Sequence, residues 1–131
     1  MDFKNSQTYK NLLNSFAGES QASMRYSIFE RKANEEGLTE AAAFFKEAKE
    51  EERHHATIWY SLLFGGQIPS TKENIEIQIG YENDEWTNSY EHMAQVAREE
   101  GFEEIAKAFE AVANEEEGHE SHLHDLLKNL K

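Results

Sequence analysis

Glu116-Glu117-Gly118-His119 repeats, in altered form, an earlier stretch, Glu52-Arg53-His54-His55. Each sets a Glu and a His three residues apart. Each also follows the same approach, Ala33-Asn34-Glu35-Glu36-Gly37 in the first half and Ala97-Arg98-Glu99-Glu100-Gly101 in the second. Gly37 recurs as Gly101, Glu52 as Glu116 and His55 as His119, all at one common offset. Such a period, running through helix-forming residues, predicts a duplicated helical hairpin. On a helix, residues i and i+3 share a face, with Cβ atoms about 5–6 Å apart. A carboxylate and an imidazole at that spacing can hold one metal ion.

Composition sets the frame for this reading. The chain has 131 residues, enough for one domain with a real core. A single Pro among abundant Ala, Glu, Lys and Leu argues for an all-α fold. With 26 acidic against 13 basic residues the net charge is −13, which opposes binding to nucleic acid or to an anionic membrane. There is no cysteine, so disulfides and thiolate-bound zinc or iron are excluded from these residues. No apolar run approaches the roughly 20 residues of a membrane span, and the N-terminus shows neither the basic nor the apolar region of a signal peptide. A cytoplasmic location is expected.

Apolar periodicity predicts four helices. Ser6 or Thr8 can cap the first, whose stripe runs Leu12, Phe16, Glu19, Ser23, Tyr26 and Phe29 and which should end near Gly37. Thr39 can cap the second, with the stripe Phe45, Ala48, Glu52, His55, Trp59 and Leu62, stopped by Gly65-Gly66. Hairpin 1 thus covers about 6–65, a linker with the only proline about 66–70, and hairpin 2 about 71–130. Ser70-Thr71-Lys72-Glu73 has capping-box form. Ile75, Ile77 and Ile79 alternate as in a strand, although Ile75 and Ile79 also suit a helix face. The third stripe then runs Ile79, Glu82, Glu85 with Trp86, Tyr90, Met93 and Ala97. The fourth runs Ile105, Phe109, Val112, Glu116, His119, Leu123, Leu126 and Leu130. Trp59 and Trp86 read as core.

Seven ionisable residues therefore fall on faces that the period assigns to the interior: Glu19, Glu52, His55, Glu82, Glu85, Glu116 and His119. Buried carboxylates are costly to keep ionised, and five together repel one another unless cations are present. Height along the helices is an independent check. Glu19 lies as far before Gly37 as His55 lies after it, with Glu52 one turn nearer the glycine. In the second half Glu82 and Glu85 precede Gly101, and His119 and Glu116 follow it, at distances that agree to within one residue. At about 1.5 Å per residue, an antiparallel hairpin brings each set to one level. Five carboxylates and two neutral imidazoles nearly neutralise two divalent ions, and a mixed oxygen and nitrogen set suits iron or manganese. Neither a random acidic surface nor buried Glu–His pairs without metal would match in period, face and height together. Glu51 and His54 share the Glu-x-x-His spacing but are rotated about 100° from the stripe, and His92, His122 and His124 have no counterpart in the repeat; all five read as surface. Tyr26 and Tyr90 fall on core stripes near the site, where a hydroxyl could support a ligand carboxylate.

Glu-x-x-His pairs with single Glu residues from facing helices are the known di-metal pattern of ferritin-like bundles. The chain resembles one family of that kind, the rubrerythrins, in their ferritin-like di-iron domain. The resemblance rests on Gly18-Glu19-Ser20-Gln21-Ala22, Glu52-Arg53-His54-His55-Ala56, Glu82-Asn83-Asp84-Glu85-Trp86, Ala97 to Ala106 and Glu116-Glu117-Gly118-His119-Glu120, in that order, between about Asn11 and Leu127. It implies a ferritin-like four-helix bundle and a non-haem di-iron peroxidase that reduces hydrogen peroxide to water in oxidative-stress defence. A ferroxidase or iron-handling role is the alternative. The cofactor implied is a pair of iron ions, oxo-bridged when oxidised, with manganese or zinc as substitutes. By the same resemblance Glu52 and Glu116 bridge the ions, Glu19 binds one, and Glu82 with His119 binds the other. Glu85 and His55 exchange as ligands of the first ion, Glu85 when oxidised and His55 when reduced. Glu85 distinguishes this family from bacterioferritin-like sites, and Tyr26 and Tyr90 fall where it has site-adjacent tyrosines.

Two departures from the family pattern matter. Full-length members carry a rubredoxin domain with a four-cysteine iron site, which a chain without cysteine cannot form. A separate rubredoxin-like or flavin electron donor is expected. A ferritin-like bundle also needs a crossover on the order of 35–40 Å between its second and third helices, whereas Gly65 to Ser70 spans only about 20 Å when extended. Either residues 75–79 are extended or two chains exchange hairpins; a hairpin-swapped homodimer is expected.

Overall fold

The computed structural model describes residues 1–130, and within them all regular structure is helical. The chain divides into two compact units, Met1–Ile68 and Pro69–Lys131. No helix among the described residues is long and apolar enough to cross a membrane.

In the first unit a short 3₁₀ turn (Phe3–Asn5) precedes α1 (Gln7–Glu35). Ser6 rather than Thr8 is the cap, its Oγ accepting from the Tyr9 N–H at 3.0 Å. At the far end Gly37 adopts φ +74°, a left-handed conformation open to glycine at little cost. The Leu38 N–H donates to the Ala33 carbonyl at 2.8 Å and the Gly37 N–H to Asn34 at 3.1 Å, which closes a Schellman motif. α2 (Thr39–Leu63) follows directly. Leu38 takes the cap position with no side-chain bond, and Thr39, expected there, is already the first helical residue because the reversal through Gly37 is one residue tighter.

The second unit repeats the scheme with one change. Ser70 caps α3 (Thr71–Asp84) by accepting from the Glu73 N–H at 3.2 Å, so the Ile75–Ile79 stretch is helix and not strand. A π-helical turn (Glu85–Ser89) leads into α4 (Tyr90–Glu99). The Tyr90 N–H donates to the Glu85 carbonyl five residues back, the hydrogen-bond spacing of a π turn. Gly101, at φ +90°, forms the same Schellman turn, with Phe102 donating to Ala97 at 2.7 Å, and α5 (Glu103–Asn129) returns. Arg98 secures this turn by ion pairs to Glu103, at 2.9 Å, and to Glu110. The π turn accounts for an irregularity of the repeat. Tyr26 and Tyr90 stand at the common offset, but Glu19 and Glu82 fall one short of it, so hairpin 2 holds one extra residue between Glu82 and Tyr90. A π turn absorbs one residue without breaking the helix.

Small side chains line the seams between paired helices. Ser23, Ala33, Ala42, Ala48 and Ala56 are buried in hairpin 1, and Ala94, Ala97 and Ala106 form the buried cluster of hairpin 2, with Phe109 against it. Aromatic contacts widen the first seam, Phe16 on Tyr60 and Tyr26 stacked on Phe45. The larger members of the fourth predicted stripe, Ile105, Val112, Leu126 and Leu130, stay exposed, because alanine rather than these residues fills the seam. Trp59 and Trp86, expected as core, are only half-buried.

Candidate metal centre

Each hairpin gathers three of the predicted residues at mid-height. In hairpin 1, ligating atoms of Glu19 from α1 and of Glu52 and His55 from α2 all lie within 4.8 Å of one another. The His55 Nδ1 stands 3.0 Å from Glu19 Oε2 and 3.8 Å from Glu52 Oε1. In hairpin 2, Glu82 of α3 meets Glu116 and His119 of α5 within the same distance. The His119 Nδ1 is 3.7 Å from Glu82 and 3.9 Å from Glu116. The same ring nitrogen faces the carboxylates in both triads. Within each hairpin, the levels counted from its glycine thus meet in space.

The donors present fit hard-to-borderline divalent ions: two carboxylates and one imidazole in each triad. Glu82 carries a further sign. It is buried, one oxygen accepts from Gln78 at 3.1 Å, and the other, Oε2, has no hydrogen-bond partner among the described residues. A buried oxygen without a partner is costly in isolation, and a cation would satisfy it.

Comparison with known proteins agrees with this chemistry. The rubrerythrin family model matches residues 10–127. The chain belongs to the rubrerythrin family. It is 41% identical to rubrerythrin of Porphyromonas gingivalis, over 98% of this chain and 70% of that one. It is 38% identical to rubrerythrin of Nitratidesulfovibrio vulgaris, over 98% and 73%, and 35% identical to rubrerythrin-1 of Clostridium acetobutylicum, over 98% and 73%. A ferritin-like di-iron protein of all-α fold follows from the family and from the two triads together.

Glu85 does not join the hairpin 2 triad within ligand distance. It sits half-buried in the first position of the π turn. Desolvation, and then the charges of Glu82 and Asp84, raise its carboxyl above the ordinary value of 4.5. Glu52 is raised as well, by a hydrogen bond shared with Glu19, by desolvation and by the Glu19 charge. Tyr26 packs by its ring on Phe45 and Tyr90 on Phe109, with centroids 6.0 and 5.9 Å apart. Glu51, His54, His92, His122 and His124 are exposed, as the repeat indicated.

One residue beside the site escaped the sequence reading. Glu120, next to His119, accepts from Asn83 Nδ2 at 2.8 Å and from Trp86 Nε1 at 2.9 Å on the same oxygen, Oε1. Its other oxygen faces His124 at 3.0 Å. The Asn83 and Trp86 donors hold its carboxyl below the ordinary range.

The raised carboxyls set the pH response of metal-free protein. Between the unfolded value of 4.5 and the raised native values, the native state holds protons that the unfolded chain has released. Stability therefore falls as pH rises through that window. Thermal melts of metal-free protein should show this fall, Glu52→Gln should reduce it, and ferrous iron should raise the melting temperature at pH 7. Melts at pH 7 that respond neither to iron nor to Glu52→Gln would contradict a metal site here.

Proposed function

We propose that the chain is a di-iron peroxidase that reduces hydrogen peroxide to water in oxidative-stress defence. The observation that carries this is Glu85: a fifth carboxylate, half-buried in hairpin 2, in a chain whose two triads otherwise match each other. When bound, two ferrous ions supply the two electrons that, with two protons, reduce hydrogen peroxide to two waters. The protein's residues provide the rest. Glu52 and Glu116 would each span both ions, Glu19 would hold one, and Glu82 with His119 the other. An imidazole must be unprotonated at the nitrogen that ligates, and His55 Nδ1, 3.0 Å from Glu19 Oε2, is the nitrogen that would meet the ion in the reduced state. A ferric ion favours an anionic oxygen, which Glu85 offers. Burial and the neighbouring charges of Glu82 and Asp84 raise the Glu85 carboxyl, so ligation to a cation would relieve the cost of its ionised form. Tyr26 and Tyr90 would donate hydroxyl hydrogen bonds to ligand carboxylates.

Because these 131 residues contain no cysteine, electrons must come from outside them, from a rubredoxin-like or flavin donor. Manganese or zinc could occupy the same donors without the same chemistry. A cytoplasmic location fits the acidic surface and the absence of a membrane-spanning helix among the described residues.

We propose further that two chains exchange hairpins, each site taking Glu19, Glu52 and His55 from one chain and Glu82, Glu85, Glu116 and His119 from its partner. Because α3 begins at Thr71, only seven residues, 64–70, separate it from α2, and they span at most about 25 Å. A crossover within one chain needs on the order of 35–40 Å. The exposed Ile105 and Val112, on the stripe of Glu116 and His119, offer an apolar face for the partner's hairpin.

Two outcomes are expected. Glu85→Ala should keep two irons per chain yet lose peroxide reactivity, measured by iron content and stopped-flow absorbance; unimpaired reactivity would remove Glu85 from the mechanism. Iron-loaded protein should have twice the 15.2 kDa mass of one chain by light scattering. Co-refolding a Glu19→Ala, Glu52→Ala chain with a Glu82→Ala, Glu116→Ala chain should restore one complete site per mixed dimer. A monomer with full iron, or no restoration on mixing, would refute the exchange.

A further inference from the structure

The two hairpins serve as internal controls for each other. Hairpin 2 contains three features that hairpin 1 lacks: the extra residue absorbed by the π turn, a carboxylate at Glu85 where hairpin 1 has Ala22, and the hydrogen-bonded group around Glu120. The counterparts of Trp86 and Glu120 in hairpin 1 are Ser23 and Ala56. There the Ser23 hydroxyl donates to the Lys49 carbonyl at 3.1 Å, and Ala56 is buried in a plain helix seam. The extra residue, the extra carboxylate and the Glu120 acceptor are all present in hairpin 2 and all absent from hairpin 1.

Their geometry explains the association. Asn83 follows Glu82 and lies before the π turn, while Trp86 follows Glu85 and lies within it. Both donate to one oxygen of Glu120, whose side chain is only 15% exposed. Asp84 gathers the other side of the turn, accepting from Asn88 and from Ser89, each at 3.3 Å. Contact between side chains five residues apart, as in Asp84 and Ser89, suits π and not α periodicity. A π turn on its own is a strained exception in a helix. Here it is tied to α5 at the two positions that flank Asp84 and Glu85.

We propose that Glu120 is a positioning residue for Glu85: by accepting from Asn83 and Trp86 together it holds the π turn against α5 and so fixes where the Glu85 carboxylate stands relative to Glu82, Glu116 and His119. The inference rests on the reading of Glu85 as a ligand in the oxidised state. Glu120 itself would touch neither metal nor peroxide.

The test compares Glu120→Ala, Glu120→Gln, Glu85→Ala and the Glu120→Ala, Glu85→Ala pair. In metal-free protein, exchange of the Trp86 indole N–H and of backbone amides 86–90, read by NMR, should quicken by about tenfold or more in Glu120→Ala. It should stay near wild type in Glu120→Gln, whose amide oxygen can still accept both bonds. In iron-loaded protein, Glu120→Ala should retain two irons per chain and slow oxidation by peroxide by about tenfold or more. Glu120→Gln should restore the rate, and the double variant should be no slower than Glu85→Ala alone, as for residues acting through one another. Wild-type exchange in Glu120→Ala, or losses that add in the double variant, would overturn the proposal. Impaired Glu85→Ala beside unimpaired Glu120→Ala would end the positioning role alone, while unimpaired Glu85→Ala would end the reading beneath it. Should Glu120→Ala fail to fold, Trp86→Phe, which keeps an aromatic ring, though a smaller one, and removes the donor, must quicken exchange of amides 87–90 or the proposal falls.

Discussion

Repulsion between carboxylates set side by side is the constraint on which each hairpin turns. Glu19 stands against Glu52, and Glu82 against Glu116, at mid-height of the paired helices, Glu82 buried and the other three partly so. Groups so placed must take up protons, recruit cations or separate. The first response is visible in the raised carboxyls of Glu52 and Glu85. The second is prepared by an imidazole nitrogen aimed at each pair and by the partnerless oxygen of Glu82. The helices do not separate, because alanine seams and Schellman turns hold them in register. The glycine turns at Gly37 and Gly101 do more than reverse the chain: each sets the origin from which its own hairpin's ligands are counted, so each triad meets at one height.

Duplication gives two near-equal halves, and the chemistry proposed here needs them to differ. The difference lies within one turn of helix. Adding a residue between Glu82 and Tyr90 shifts everything before it by about 100° relative to everything after. An α-helix absorbs that shift as a π turn. Glu85 and Trp86 occupy the affected region and Glu120 faces it from α5, and their counterparts Ala22, Ser23 and Ala56 are small and carry no carboxylate. A symmetric pair of triads would bind metal. Glu85, a fifth carboxylate that stands off the triad, is what the proposed chemistry adds to them.

Much of this was legible in the sequence because it depends on counting. The common offset of the repeat, the left-handed glycines and the matched heights of Glu and His about them are properties of helix geometry; the structure brings together all three residues they select in hairpin 1 and three of the four in hairpin 2, Glu85 standing apart. The third helix was ambiguous at Ile75–Ile79, where alternation fits strand and helix alike; the Ser70 cap and the helical run through Glu82 settle it. The π turn left only a faint mark, since Glu82 stands one position farther from Gly101 than Glu19 does from Gly37. Glu120 was out of reach, since its role depends on donors from another helix, and Trp86 resembled core because its indole nitrogen has no visible partner until α3 and α5 are placed side by side. The apolar stripe of α5 reads as interior, yet Ile105 and Val112 are exposed. Periodicity identifies an apolar face but not what covers it.

Oxidant preference bears most directly on the central claim, that this site reduces peroxide. Protein loaded anaerobically with ferrous iron would be mixed, in separate stopped-flow experiments, with hydrogen peroxide and with oxygen. The account predicts two irons per chain, oxidised by peroxide at least about tenfold faster than by oxygen, a difference of about 1.4 kcal/mol in barrier. Faster oxidation by oxygen, with iron uptake well beyond two per chain, would contradict it and assign the site to iron handling.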